Sequence, residues 1–445
     1  MSREAYQRTR EGFHRGIGRT VEVRKSALRR LLHAVQEREE AILEALDADL
    51  GKPRLEAWLA EYHFVREDIR HALRHLDAWL RPTKVRSPFF VQPARSHIQR
   101  EPHGTVLILS PWNYPFQLAI SPLIAAIAGG NTAVVKPSEH APATASLIAE
   151  ILSDCFDPLH VGTVLGNADV AASLLAEPFD FYFFTGGEAV GRKVAQAAAQ
   201  DLKPCVLELG GKCPVIVDPS VEMETVVDRI VSAKAFNAGQ TCFAPDFLLV
   251  PEREKPSWVH ELRSEFSRRY RPPEDLARIV NRHHFDRILG LCAGETGVDR
   301  DDVDRLILSP RVIDADWSHP SMQEEVFGPV LPVIGYGPEL LERLEKLPAP
   351  LALYLFSRDE SMIRAVMNAL PSGGVTINDI GKHAMNHHLP FGGKGASGYG
   401  RYRGRHGFDA FTYERSVTRR RFLPDPFALR APYGNRLTWL KRLIP

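Results

Sequence analysis

From residue 105 onward the chain alternates short apolar runs with longer helical stretches, and this alternation constrains the fold more than any other feature. Thr105-Val-Leu-Ile-Leu109, Thr132-Ala-Val-Val-Lys136, Val161-Gly-Thr-Val-Leu165 and Asp180-Phe-Tyr-Phe-Phe-Thr185 read as short buried strands. Helical stretches separate them, near 118–128 and 142–152. Buried strands joined by helices form a parallel sheet with right-handed crossovers, so the chain is predicted to be α/β. A second series starts at Pro214-Val-Ile-Val-Asp218. It runs on through Asp246-Phe-Leu-Leu-Val250, Pro332-Val-Ile334 and Leu351-Ala-Leu-Tyr-Leu-Phe356. Ligands of such sheets lie beyond the carboxyl ends of the strands. Lys136, Glu139, Thr185 and Gly186 stand at those ends.

The flanking segments differ. Residues 2–80 read as helical, with Leu28, Leu31, Leu32, Val35, Leu43 and Leu46 near one face. Pro82 and Pro88 break that region, and Phe89 to Gln99 is predicted to be extended. Near 390 the chain turns glycine-rich, and Phe411–Thr418 alternates like a half-exposed strand. A length of 445 residues fits two or three domains.

Composition excludes several function classes. Lysine and arginine total 56 against 55 acidic residues, a net charge of +1, so the chain as a whole offers no electrostatic basis for nucleic-acid binding. The five cysteines show no Cys-x-x-Cys or zinc-like spacing, so no metal is expected and a reducing, cytoplasmic setting is. The N-terminus lacks an apolar signal core, and no apolar run is long enough to span a membrane. The tail Leu437-Thr-Trp-Leu-Lys-Arg-Leu-Ile-Pro445 combines apolar residues with two cations. A docking or frayed end is preferred there over membrane contact.

Chemistry concentrates around Cys242. It lies in Phe236-Asn-Ala-Gly-Gln-Thr-Cys242-Phe-Ala-Pro, and Glu208 opens Glu208-Leu-Gly-Gly-Lys212 upstream. A thiolate attacks a carbonyl carbon, and a carboxylate beside a dry pocket takes a proton from water. A lone cysteine is more often an inert buried residue. The accompanying motifs reverse that preference: Pro111-Trp-Asn-Tyr-Pro115, Lys136-Pro-Ser-Glu139, Phe184-Thr-Gly-Gly187 with Gly191, Glu325-Val-Phe-Gly-Pro329 and Pro390-Phe-Gly-Gly393.

Taken together and in this order, these motifs resemble the NAD(P)-dependent aldehyde dehydrogenase superfamily over residues 104–417, and its class 3 branch in particular. The resemblance implies a Rossmann-like cofactor domain (1–84 and 102–209) and a catalytic domain (210–404). It adds a small bridging β element (85–101 and 405–422), followed by a tail (423–445). It also implies oxidation of an aldehyde to its carboxylic acid by a homodimer. Cys242 is then the nucleophile, Glu208 the base that activates water, and Asn113, with the Cys242 backbone N–H, the oxyanion donor. Acylating relatives, which pass the acyl group to CoA or phosphate, often lack the base. A catalytically silent fold is disfavoured by the intact Cys242, Glu208 and Asn113.

On the cofactor side the resemblance implies Trp112, Lys136, Glu139, Thr185, Gly186, Gly187, Gly191, Glu325 and Phe327. Lys136 and Glu139 would hold the adenosine ribose, and the carboxylate tilts the choice towards NAD although class 3 members often accept NADP too. Thr185–Gly187 and Gly191 would form the turn by the pyrophosphate. Many family members carry a hydroxyl or amide residue where this chain has Gly187. Glu325 would bind the nicotinamide ribose, with Phe327 beside the ring. Tyr114 and Phe243, with Trp112, are candidates for an apolar tunnel suited to a long-chain or aromatic aldehyde. His383, His387 and His388 cluster before Pro390; a loop carrying His383 to the substrate mouth is preferred over a metal site.

Overall fold

The computed structural model describes residues 2–271, 274–292, 301–422 and 431–443. Its N-terminal part is a helical layer: Ser2–His14, Val21–Glu37, Glu39–Leu50 and Phe64–Leu80. Local chemistry sets the boundaries. The Thr20 hydroxyl accepts from the Val23 N–H at the start of the second helix, and Gly51 ends the third in the left-handed region. Leu28, Leu31, Val35, Leu43 and Leu46 are buried as the apolar spacing predicts, and Leu32 packs at the margin. Between Leu50 and the fourth long helix lies a π-helical turn, Trp58–His63.

The first six-stranded sheet is a doubly wound α/β sheet. Its order is Gly398–Tyr399, Cys205–Leu209, Phe181–Gly186, Thr105–Leu109, Thr132–Lys136 and Val161–Thr163. All pairings are parallel except that of the two-residue Gly398–Tyr399 strand. Chain order reverses between Thr105–Leu109 and Phe181–Gly186, which is where a parallel sheet of this kind opens a ligand crevice. Every residue of the Gln117–Gly129 helix is buried, because it sits between this sheet and the N-terminal helices.

The second sheet is wholly parallel. Its order is Arg311–Asp314, Val330–Tyr336, Phe247–Pro251, Pro214–Val217, Ala352–Phe356 and Gly374–Ile377. A third, antiparallel sheet joins Thr83–Val85, Ala94–Pro102 and Thr412–Arg420.

The structure departs from the sequence reading in several places. Phe89–Val91 forms a 3-10 turn rather than extended chain, because Pro88 and Pro93 bracket it. The third strand stops at Thr163, not Leu165. Arg311–Asp314 and Gly374–Ile377 carry no clear apolar run, since their pairing comes from the sheet rather than from local pattern. Thr412–Arg420 is exposed at nearly every position, not on one face, since no other layer covers either side of it. Of the tail, 431–443 contains the helix Arg436–Leu443, and residues 423–430 and 444–445 lie outside the described residues. Among the described residues no helix is long and apolar enough to cross a membrane.

Candidate active site

The nucleophile loop is held in an unusual shape. After the helix Met223–Ala235 the chain turns through Asn237 (φ 53°), Ala238 (φ 50°) and Gly239 (φ 71°), three successive left-handed residues. Two of them are not glycine, so surrounding bonds must enforce the turn. The Asn237 N–H donates to Glu56 (2.7 Å), and its side-chain amide donates to the carbonyls of Asn113 (2.9 Å) and Gln240 (3.1 Å). The Gln240 amide in turn donates to Asn237 and Arg278 carbonyls and accepts from the Val280 N–H. Gly239 packs directly on the Gly328 carbonyl and leaves no room for a Cβ.

Asn113 faces this loop and is 4% exposed. One N–H of its amide donates to the Gln240 carbonyl at 3.0 Å, which fixes the amide plane and leaves its second N–H for another acceptor. Next to it, the Tyr114 hydroxyl bonds Thr241 Oγ1 at 2.5 Å. Tyr114 is therefore buried as a brace of the nucleophile loop. The Cys242 side chain is half-buried and keeps an opening, with protein around its remaining sides. Its thiol is pushed up to about 12 by burial and by the Glu325 and Glu208 carboxylates, partly offset by Arg403.

Glu208 sits near the carboxyl end of the Cys205–Leu209 strand, 3% exposed, and neither carboxylate oxygen has a hydrogen-bond partner. A solvated strand-end carboxylate would look different. Burial raises its pKa well above the carboxylate range, with Arg403 and Arg401 opposing. Gly392 permits the approach: a Cβ there would lie 2.9 Å from Glu208 Oε1.

The Glu325 carboxylate packs against Gly210, where any side chain would collide with it. Its pKa rises to about 8 through burial and the nearby Asp246, while the Gly211 N–H, Lys212 and Arg287 favour ionisation. Lys212, to which the sequence assigned no step, anchors this segment. Its ammonium pairs with Asp246 and donates to the carbonyls of Ser321 (2.8 Å) and Glu324 (2.9 Å), and Asp246 accepts from the Val326 N–H (2.8 Å). Phe327 (φ 47°) turns its ring edge-on to Trp112 at 5.5 Å.

The crevice of the first sheet has the features of a dinucleotide site. Ser110 and Thr185, at the ends of the two strands flanking the reversal, bury hydroxyls that lack partners. Gly187 is the N-cap of the helix Glu188–Gln200, its φ and ψ are extended, and nothing lies within 4 Å of a Cβ placed there. Gly191 packs on Leu209, which brings the helix close to the sheet. Lys136 is 5% exposed and its ammonium donates to Glu139 at 2.6 Å and to the Pro137 carbonyl. Orphaned hydroxyls, an open helix N-terminus and a cation–carboxylate pair at adjacent strand ends fit a pyrophosphate flanked by ribose.

The aromatic side of the site is built from Phe243, Phe391, Tyr402 and Phe64. Phe243 packs 5.9 Å from Phe391, and its carbonyl accepts from the Tyr354 hydroxyl. His383 stacks on Phe391, bonds Thr376 through Nδ1, and leaves Nε2 buried without a partner. Burial holds its pKa down at about 4, with Arg403 adding to the effect. His387 instead pairs with Asp68 at 2.8 Å, and among the described residues no group of His, Cys, Asp and Glu is arranged to hold a metal. Arg403 escaped the sequence reading. It is 6% exposed with φ 84°, and its guanidinium lies 4.5 Å over Phe64 and 4.8 Å over Phe391, with Nε and Nη1 unpartnered. Lys52, Glu56 and Glu61 also escaped it, since nothing local marks them as facing the site.

The chain is similar to known proteins over almost its whole length. The profile described as "Aldehyde dehydrogenase family" matches residues 2–417. A 4,4'-diaponeurosporen-aldehyde dehydrogenase of Staphylococcus aureus is 40% identical over 432 residues, covering 95% of this chain and 94% of the relative. Aldehyde dehydrogenase family 3 member B1 of Bos taurus is 39% identical over 442 residues, covering 96% and 94%. Among solved structures, the substrate-bound state of Staphylococcus aureus AldH superposes with a TM-score of 0.96 at 38% identity and covers 100% of both chains.

Proposed function

The chain belongs to the aldehyde dehydrogenase family, oxidising aldehydes with NAD(P), and on that premise we propose that Cys242, Glu208 and Asn113 carry the chemistry. The observation that supports this most is Glu208. A buried carboxyl with no partner on either oxygen, electrostatically coupled to a half-open cysteine, is placed to serve a reacting molecule rather than the fold.

Deprotonated Cys242 adds to the aldehyde carbon, and the carbonyl oxygen takes up negative charge. The free N–H of Asn113 and the Cys242 backbone N–H donate to that oxygen. Bound nicotinamide supplies the hydride acceptor. Oxidation leaves a thioester on Cys242, and Glu208 takes a proton from the water that attacks its carbonyl carbon. The C–S bond then breaks, releasing the acid and the thiolate. Lys136, Glu139, Ser110, Thr185, Gly187 and Glu325 would hold the cofactor, with the Trp112–Phe327 aromatic pair beside them. The Lys136–Glu139 pair favours NAD over its 2′-phosphate analogue.

The substrate is a hydrophobic aldehyde. Phe243, next in the chain to Cys242, packs with Phe391 and Tyr402 in an aromatic cluster that includes His383, and a relative is named for 4,4'-diaponeurosporen-aldehyde. We assign residues 1–84 with 102–209 to the cofactor unit, 210–404 to the catalytic unit and 85–101 with 405–422 to the bridge; the two-residue strand Gly398–Tyr399 crosses this division, since it pairs with Cys205–Leu209 in the first sheet. The bridge presents Thr412–Arg420 as an exposed edge for pairing in a homodimer.

The test is NAD(P)H formation by the purified protein with aliphatic and aromatic aldehydes, with NAD and NADP in parallel. Turnover without added CoA or phosphate, abolished by Cys242→Ala, is expected. Turnover that survives Cys242→Ala would refute the assignment of the nucleophile.

A further inference from the structure

The segment bearing Asn113 is held by a buried ion pair contributed from the N-terminal helical layer. Lys52 and Glu61 both have fully buried side chains, and the ammonium donates to Glu61 Oε1 at 2.6 Å. The same ammonium donates to the Asn113 carbonyl at 2.9 Å and lies 4.3 Å over the Tyr114 ring. The other oxygen of Glu61 accepts from the backbone N–H groups of Phe116 (3.1 Å) and Gln117 (2.8 Å), where the central buried helix begins. One ion pair therefore fixes the chain at residues 113, 116 and 117. The Asn113 carbonyl is also the point where the nucleophile loop attaches, because it accepts from Asn237 as well.

Glu61 lies within the π-helical turn Trp58–His63, and such turns are frequent at functional sites. Four residues before that turn's third residue, Glu56 accepts from the Asn237 N–H, so the same stretch touches both halves of the oxyanion site. Stability alone does not call for an ion pair here: apolar residues of equal volume usually stabilise a core as well or better. An ammonium does what an apolar side chain cannot, since it bonds a backbone carbonyl and a carboxylate in two fixed directions.

We propose that Lys52 and Glu61 are positioning residues for the oxyanion donor, setting the Asn113 amide against Cys242 from behind. This rests on the reading of Asn113 as that donor. Neither residue touches the substrate.

The experiment is a double-mutant cycle between Asn113→Ala and the volume-matched pair Lys52→Met/Glu61→Leu, assayed by the burst rate of NAD(P)H formation and by KM for the aldehyde. Affinity for an aliphatic trifluoromethyl ketone, which forms a thiohemiketal oxyanion on the cysteine, is a third readout. Replacing the pair is expected to slow the burst roughly 10- to 100-fold, as displacement of a catalytic group by an ångström does. Ketone affinity falls in parallel, while KM and the unfolding midpoint change little. In the Asn113→Ala background the same replacement costs almost nothing further, because both act through one group. Equal losses in both backgrounds, or an unchanged burst in the Asn113 background, would overturn the proposal. If the double replacement fails to fold, Glu61→Gln, which leaves volume unchanged, enters the same cycle with the same criteria. Should Asn113→Ala leave the burst rate intact, the donor reading itself falls and takes the proposal with it. That result is distinct from an essential Asn113 with a silent ion pair.

Discussion

Exchanging Glu208 for Gln should stabilise the protein while removing its turnover. The side chain is 3% exposed and neither oxygen is hydrogen-bonded, so the exchange breaks no bond in the folded state. Burial keeps the folded carboxyl protonated well above its ordinary value of 4.5. The unfolded chain releases that proton once the pH exceeds roughly 4.5, whereas the folded chain retains it up to its own raised pKa. Between those limits the folded state binds more protons, so wild-type stability falls with rising pH. The slope for one proton approaches about 1.4 kcal/mol per pH unit. Gln titrates nowhere in this range and its stability curve lacks the fall. Urea unfolding of both proteins at several pH values, from acidic to mildly alkaline, should show the gap widening in favour of Glu208→Gln as the pH rises. Without the base, steady-state turnover drops about 10²- to 10⁴-fold, and the initial burst of NAD(P)H persists because acylation does not need it. Parallel stability curves would refute the reading of Glu208 as a buried, unpaired acid. Loss of the burst together with turnover would refute its assignment to the hydrolytic half.

Glu325 raises the Cys242 pKa more than any other charged group, so Glu325→Gln should move the pH profile of iodoacetamide alkylation of the cofactor-free enzyme to lower pH. An unmoved profile would count against that coupling. Gly187→Ser meets open space in an extended backbone and adds a hydroxyl at a helix N-terminus, so cofactor affinity should rise roughly tenfold through one charge-assisted hydrogen bond; a fluorescence titration checks it. Asp246→Ala strips the partner from Lys212 and the acceptor from the Val326 N–H, which should cost about 3 kcal/mol in urea unfolding and weaken cofactor binding by loosening Glu325.

The residues themselves determined the layered α/β character, because short apolar runs such as Thr105–Leu109, repeated between longer helical stretches, read as buried strands of a parallel sheet. They also marked Cys242 and Glu208 as the candidates for chemistry, since the small residues of Gly239-Gln-Thr-Cys242 and Glu208-Leu-Gly-Gly read as loops able to approach a ligand closely. Strands such as Gly374–Ile377 were not legible, as four residues of mixed exposure carry no period and become strands only through a neighbour. The support of the site was equally hidden. Lys52 reads as an ordinary surface lysine beside a helix break, yet it lies buried on the Asn113 carbonyl, 61 positions away. Arg403 reads as one cation in a basic stretch, yet it is stacked between Phe64 and Phe391 and faces Glu208. Polar contacts over such separations leave no pattern in the chain, because they are made by the packing of whole elements rather than by the neighbours of either residue. The tertiary structure alone decided which charges are paired and which are buried without a partner, because both follow from how whole elements pack.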